Sequence, residues 1–324
     1  MITYVLFIIW FIILIKWADF LVQWSASLAK KFKISELVIG LTIVAIWTST
    51  PELIVNIISG IKWSWGIAIG NILWSNIANI LLVLWLAACI YPLTIKKSII
   101  YREIPFSLAA IIILRVIIDN FIQWPGNTLL ISRLEGIFLL GLFWIFLFYI
   151  FRTSRHNKEE IVEEVEEEIH TFSSKKSLIY ISLWLAWLII WWEWIVNGAV
   201  VIAEQMWLSE LTIGLTVIAI GTSLPELATS AMAARKGKSD IAIGNVVWSN
   251  ILNIFRVLGA TATIHPITVP DWINRDIRFA IFATVILLIF AITKRWFTLH
   301  RYQGFLMIIA YIIYIWIVLL NIKQ

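Results

Sequence analysis

One cysteine, Cys89, is all that the 324 residues contain. Disulfides within the chain are therefore excluded, and so is a cysteine-based metal centre. Charge is scarce too: 14% of residues are charged and 61% hydrophobic, against about 25% and about 45–50% in soluble domains. No single core hides that much apolar surface, so the chain reads as a polytopic membrane protein. Glycine is also short. Its 14 copies are outnumbered by 20 tryptophans, although transmembrane helices favour glycine. H-E-x-x-H, G-x-S-x-G and a Walker loop are missing, so neither an enzyme active site nor a cofactor is expected. No loop interleaves dense Lys and Arg with aromatics, which argues against nucleic acid as a partner despite the net charge of +5. The expected partners are the lipid bilayer and cations, with no obligatory protein partner.

What the chain does have is long apolar runs. A membrane-spanning helix needs about 20 mostly apolar residues, and ten segments qualify: 2–29, 34–60, 67–92, 103–121, 133–151, 178–204, 208–234, 241–268, 277–293 and 303–321. The start, Met1 to Leu14, lacks a basic leader and is expected to be a retained first helix. The one long hydrophilic interruption, 152–177, is rich in glutamate and reads as a solvated linker. Three parts follow: a first bundle at 1–151, the linker at 152–177 and a second bundle at 178–324. Basic residues are distributed unevenly between the two sides. One side holds Lys62, Arg133, Arg275, Arg278 and Lys323, and the other holds 17. The positive-inside rule then puts a multi-pass protein in the cell membrane with both termini outside and 152–177 in the cytoplasm.

The chain repeats itself. Glu36-Leu-Val-Ile-Gly-Leu-Thr-Ile-Val-Ala-Ile-Trp-Thr-Ser-Thr-Pro-Glu-Leu53 returns as Glu210-Leu-Thr-Ile-Gly-Leu-Thr-Val-Ile-Ala-Ile-Gly-Thr-Ser-Leu-Pro-Glu-Leu227, an offset of 174 (210 − 36). At the same offset Ile67-Ala-Ile-Gly-Asn-Ile-Leu-Trp-Ser-Asn-Ile-Ala-Asn-Ile80 returns from Ile241 to Ile254. Five spans separate the copies, an odd number, so the second copy must lie upside down. Inverted repeats with interrupted helices are the architecture of secondary transporters, with the site between the repeats at mid-membrane.

Each copy places a carboxylate, Glu52 or Glu226, inside an apolar span, at a cost of roughly 2.5–3.5 kcal/mol on insertion scales. Pro51 and Pro225 lack an N–H and release the carbonyls of Trp47 and Gly221 from the helix ladder. Thr48 and Thr222 stand four residues before the acids, and Ser49 and Ser223 three before. The next helices add Ser75 with Asn79 and Ser249 with Asn253. These ligands are all oxygens, a hard-cation set suited to calcium with its 6–8 oxygen ligands and unsuited to copper or zinc.

With these strings in view, the chain resembles the sodium/calcium exchanger family of the cation/calcium antiporter superfamily. The resemblance covers nearly the whole chain. It implies an all-α polytopic membrane protein whose ten transmembrane helices form two inverted five-helix repeats. It also implies Ca²⁺ at Glu52 and Glu226 with Thr48 and Thr222. Sodium sites are implied at Ser49, Ser75, Ser223, Ser249 and the carbonyls of Trp47 and Gly221. Asn79 and Asn253 match positions lining the centre. Some family members carry Asp at the second of these, so Asn253 leaves two carboxylates here rather than three. Coupling to Na⁺ or to H⁺ therefore stays open, as does a role for K⁺. The transport expected is Ca²⁺ against Na⁺ by alternating access. A Ca²⁺/H⁺ antiporter is the alternative, and a channel the different class. Asp19 and its register mate Glu193 are expected near helix ends, with Lys16 pairing to Asp19.

The register also bears on the tryptophans. Trp24, Trp47 and Trp85 face Gly198, Gly221 and Gly259 at the 174 offset, and Trp74 and Trp248 stand where the family motif has glycine. A gene that uses UGA for glycine, written out with UGA as tryptophan, gives this inversion. Converting about a dozen would bring glycine near 8%, close to the usual ~7%. Arg115 and Arg256, charges inside apolar spans, fall outside that explanation.

Overall fold

The computed structural model describes residues 44–61, 65–119, 129–156, 219–293 and 297–322, with 13, 15–19, 21, 22, 24 and 42. The 152–177 linker beyond His156, the span 178–204, Glu193 and Gly198 lie outside the described residues.

The second span does not run unbroken from 34 to 60. Helix α1 (Ala45–Thr48) stops at Ser49, whose φ of −86° and ψ of 15° form a turn, and α2 (Thr50–Ile61) restarts behind it. Pro51 sits in the first turn of α2, where a missing N–H costs little. The next helix is continuous from Trp65 to Ile90. It comprises α3 (Trp65–Ala78), a π-helical stretch Asn79–Val83, and α4 (Leu84–Ile90). After β1 (Leu93–Thr94) comes a second π-helical stretch, Ile99–Glu103, leading into α5 (Ile104–Ile118), then β2 (Leu130–Ile131) and α6 (Arg133–His156).

The second repeat rebuilds these parts in order. Helix α7 (Ala219–Thr222) breaks at Ser223 (φ −83°, ψ 0°), followed by α8 (Leu224–Arg235). A continuous helix, Ser239–Ile264, joins α9 (Ser239–Leu252), a π-helical stretch Asn253–Leu258 and α10 (Gly259–Ile264). Then follow β3 (Ile267–Thr268), α11 (Ile273–Ile292), β4 (Thr298–Leu299) and α12 (Arg301–Ile322). Both long helices end earlier than hydropathy suggests, at Ile90 and Ile264. Tyr91 and His265 turn extended ahead of Pro92 and Pro266, since a residue before proline avoids helical backbone.

Two short antiparallel ribbons tie the repeats together. Leu93 and Thr94 pair with Leu299 and Thr298, and Leu130 and Ile131 pair with Thr268 and Ile267. Helices α6 and α12 begin with the same side-chain cap. Ser132 N–H donates to Glu135 Oε2 at 2.7 Å, and His300 N–H donates to Gln303 Oε1 at 2.8 Å.

Burial sorts the helices. In Ser239–Ile264, 94% of the most apolar window is buried, against 28% for Arg133–Ile150 and 33% for Arg301–Leu320. The 65–90 and 239–264 helices therefore form the centre. Helices α6 and α12 turn Phe138, Trp144, Ile145, Phe305, Ile312 and Trp316 outward, as a lipid-facing surface would. Gly259 is packed against α6 so closely that a Cβ would meet Gly136 O and Leu140 N at 3.1 Å. The matching crossing is α12 on α4, where Gly304 faces the backbone of Trp85: a Cβ on Gly304 would lie 3.3 Å from Trp85 O. Position 85 thus occupies in the first repeat the place of Gly259 in the second.

Arg115 is not stranded in apolar surroundings. It lies near the end of α5, pairs with Asp119 at 2.7 Å and donates to Asn274. Asp19, expected to pair along its own helix with Lys16, meets Lys236 across the repeats at 2.6 Å. A second bridge, Lys96 to Asp240 at 2.8 Å, also joins the two halves.

Candidate functional site

The two helix breaks and the two π-helical stretches face one another at the centre of the bundle. Thr48, Ser49, Glu52, Ser75, Asn79, Thr222, Ser223, Glu226, Ser249 and Asn253 are all buried there. The structure thus gathers the ten predicted side chains. It pairs them crosswise between repeats. Ser49 and Ser249 each lie within hydrogen-bond reach of Glu226 Oε1, at 3.1 and 3.2 Å, and 2.9 Å from each other. The hydroxyls of Ser75 and Thr222 are 3.3 Å apart. Glu52 is close enough to Glu226 for the two carboxylates to repel, and Thr222 lies beside it.

The Ser49 turn lies between Thr48 and Glu52. The Thr48 hydroxyl donates to Asn245 Oδ1 at 3.0 Å, and Thr222 makes the register-equivalent bond to Asn71 Oδ1 at 3.1 Å. The carbonyl of Trp47, released by Pro51, is approached by the Ser49 N–H, which also caps Ala45 O. Trp47 itself is half-buried.

Four asparagines form the centre of the assembly. Asn76 donates to the backbone carbonyl of Asn250 at 3.1 Å, and Asn250 returns the bond to Asn76 O at 3.0 Å. Asn79 then donates to Asn250 Oδ1, and Asn253 to Asn76 Oδ1, each at 3.0 Å. The knot is two-fold symmetric, every bond matched at the 174 offset. It consumes one N–H of Asn79 and of Asn253 and leaves their Oδ1 atoms without partners. Sequence reasoning missed Asn71, Asn76, Asn245 and Asn250. All four stand in the repeated Gly-Asn-x-x-x-Ser-Asn string, and that recurrence was the available signal.

The unpartnered atoms define what the site can do. Glu52 Oε1 and Oε2, Glu226 Oε2, Asn79 Oδ1, Asn253 Oδ1 and Ser223 Oγ are buried with no hydrogen-bond partner. Buried polar atoms are ordinarily satisfied, and an unpaired buried carboxylate is strongly unfavourable. Five of the six are carboxylate or amide oxygens, which can only accept or coordinate. Among the described residues no group of three or more His, Cys, Asp or Glu gathers. The centre is therefore two acids eked out by amides and hydroxyls, a hard-oxygen environment.

The tryptophans of the register fare unevenly. The indole N–H groups of Trp24, Trp85 and Trp248 are buried without a partner, although a buried indole N–H usually finds one. Trp74 does find one, donating to Asp276 Oδ2 at 2.8 Å, where Arg275 also binds.

Two broken helices meeting across an inverted repeat, around buried unpaired oxygens, define a membrane carrier of cations. The sodium/calcium exchanger protein family model matches residues 2–152 and 176–320. The chain belongs to that family, and it is a multi-pass membrane exchanger built as two inverted five-helix repeats. It is 39% identical over 244 residues to inner membrane protein YrbG of Escherichia coli, covering 74% of this chain and 73% of the relative. It is 29% identical to the sodium/calcium exchanger MaX1 of Methanosarcina acetivorans, covering 89% and 93%. The solved structure of the sodium-calcium exchanger NCX_Mj soaked with Na⁺ and Sr²⁺ matches with a TM-score of 0.77 at 31% identity. That match covers 96% of this chain and 97% of the other.

Proposed function

We propose that the chain exchanges Ca²⁺ for Na⁺ across the cell membrane by alternating access, the two ions competing for Glu52 and Glu226. The observation that carries this reading is the set of buried, unpartnered acceptor oxygens on residues from both repeats. Two glutamates balance one Ca²⁺ or two Na⁺. The empty site holds two buried carboxylates with one guanidinium, that of Arg256, in range of Glu52, and its net negative charge is costly to carry through a conformational switch. Occupancy by one ion or the other relieves that cost, and competition for the same carboxylates makes the movements obligatorily coupled. Thr48, Ser49, Thr222, Ser223, Ser75, Ser249, Asn79, Asn253 and the carbonyls of Trp47 and Gly221 complete the ligand set. The loop charges orient both termini outward and place 152–177 in the cytoplasm, between functional halves 1–151 and 178–324.

The test is Ca²⁺ uptake into proteoliposomes loaded with Na⁺ and diluted into Na⁺-free buffer, with pH clamped on both sides. Saturable uptake that disappears when internal Na⁺ is replaced by choline supports the reading. Uptake that needs a pH gradient and ignores Na⁺ replaces it with proton coupling, and unsaturable flux in both directions replaces it with a channel.

A further inference from the structure

We propose that Arg256 is a fixed positive charge of the ion site, and that it sets the preference between monovalent and divalent cations. The inference rests on the exchange site proposed above and adds a specificity-determining residue to it. Arg256 lies on the π-helical stretch Asn253–Leu258, one turn beyond Asn253. Its Nη1–H donates to the carbonyl of Ile46 at 3.1 Å, which fastens it to α1 directly beside the helix break. Its guanidinium lies within electrostatic range of Glu52, the acid whose two oxygens have no hydrogen-bond partner. Its register mate at the 174 offset is Leu82. The first repeat therefore has no counterpart, and the charge breaks the symmetry on one side of the site.

The formal balance follows. Glu52 and Glu226 contribute two negative charges, Asn253 none, and Arg256 one positive charge. A guanidinium stays protonated throughout, so no ion movement removes it. Coulomb energy is proportional to the mobile ion's charge, so a fixed cation opposes Ca²⁺ twice as strongly as Na⁺ at the same place. Arg256 thus weakens Ca²⁺ binding more than Na⁺ binding. The preference is between single ions: two Na⁺ bound together meet the same total repulsion as one Ca²⁺.

The experiment measures Ca²⁺ and Na⁺ binding to the full chain in nanodiscs for wild type, Arg256→Gln and Arg256→Lys. Gln keeps an N–H for the Ile46 carbonyl and removes the charge; Lys keeps the charge. The expected result is that R256Q tightens Ca²⁺ by about tenfold and Na⁺ by only about threefold, the ratio a doubled charge gives. R256K should stay near wild type. Equal shifts for the two ions, or a change in R256K as large as in R256Q, would overturn the proposal, since a merely structural role gives that pattern. Wild-type protein that binds neither ion overturns the exchange site itself, and this proposal with it.

Discussion

The two repeats carry nearly the same string and fold it into the same parts, yet their acids end in different company. Glu226 has Oε1 held between Ser49 and Ser249. Glu52, its mate, has neither oxygen hydrogen-bonded, and the equivalent hydroxyl of Ser223 is itself unpartnered. The threonines, by contrast, obey the symmetry: Thr48 to Asn245 and Thr222 to Asn71. The asparagine knot obeys it fully. Symmetry therefore holds in the asparagine knot and the threonine bonds and fails at the carboxylates. The frame is itself uneven at one point: Asn245 Nδ2 donates to Ser230, while Nδ2 of its mate Asn71 has no partner.

The comparison can be broken most sharply at the acids. Glu52→Gln and Glu226→Gln should each lower Ca²⁺ transport in proteoliposomes by at least ~100-fold. In ion-free protein the two variants should separate. E226Q loses the carboxylate oxygen that Ser49 and Ser249 bond, and E52Q loses no such bond, so E52Q should melt at the higher temperature of the two. Equal effects on melting would erase the difference between the repeats.

The knot supplies the next largest effect. Asn76→Ala and Asn250→Ala each delete an amide that donates across the pseudo-axis and accepts a bond in return, at about 2–3 kcal/mol of stability. Because the bonds are paired, the two variants should melt alike in detergent. A large gap between them would mean that the symmetric frame is not shared equally.

Position 85 tests the tryptophan inversion. Gly259 and Gly136 meet backbone to backbone, and Gly304 meets Trp85 in the same relation. Peptide masses of protein isolated from its natural source should give glycine at 24, 47, 74, 85 and 248. UGG codons at those positions, or tryptophan masses, would contradict this.

The smallest effect concerns the serines. Ser49→Ala removes a donor from Glu226, while Ser223→Ala removes a hydroxyl with no partner. The half-saturating Na⁺ concentration should shift by about 3–10-fold in S49A and by less in S223A, as the loss of one hydrogen bond predicts. A larger shift in S223A would show that the ion-bound arrangement reverses the asymmetry.

Much of this was legible before any coordinates. The 174-residue offset revealed the inverted repeat, because a five-span interval leaves the second copy no other orientation. Proline beside each acid marked the helix breaks, because its missing N–H acts locally. What spacing could not convey was pairing across the repeats. Thr48 stands four residues before Glu52, yet its hydroxyl bonds Asn245 in the other repeat. Asn76 and Asn250 look like ordinary helix polar residues until two backbones meet. Arg256 read as an awkward charge in an apolar run, because its partner, the Ile46 carbonyl, lies 210 residues away in sequence. Local chemistry showed in the sequence; long-range partners did not.

The central claim is that Ca²⁺ and Na⁺ compete for one pair of glutamates. Equilibrium Ca²⁺ binding to the chain in nanodiscs, titrated with Na⁺ at constant ionic strength and pH, measures this directly. The account predicts full displacement of Ca²⁺ by Na⁺ in wild type and no specific Ca²⁺ binding in E52Q or E226Q. Ca²⁺ binding that survives both substitutions, or that Na⁺ leaves unchanged, would contradict it.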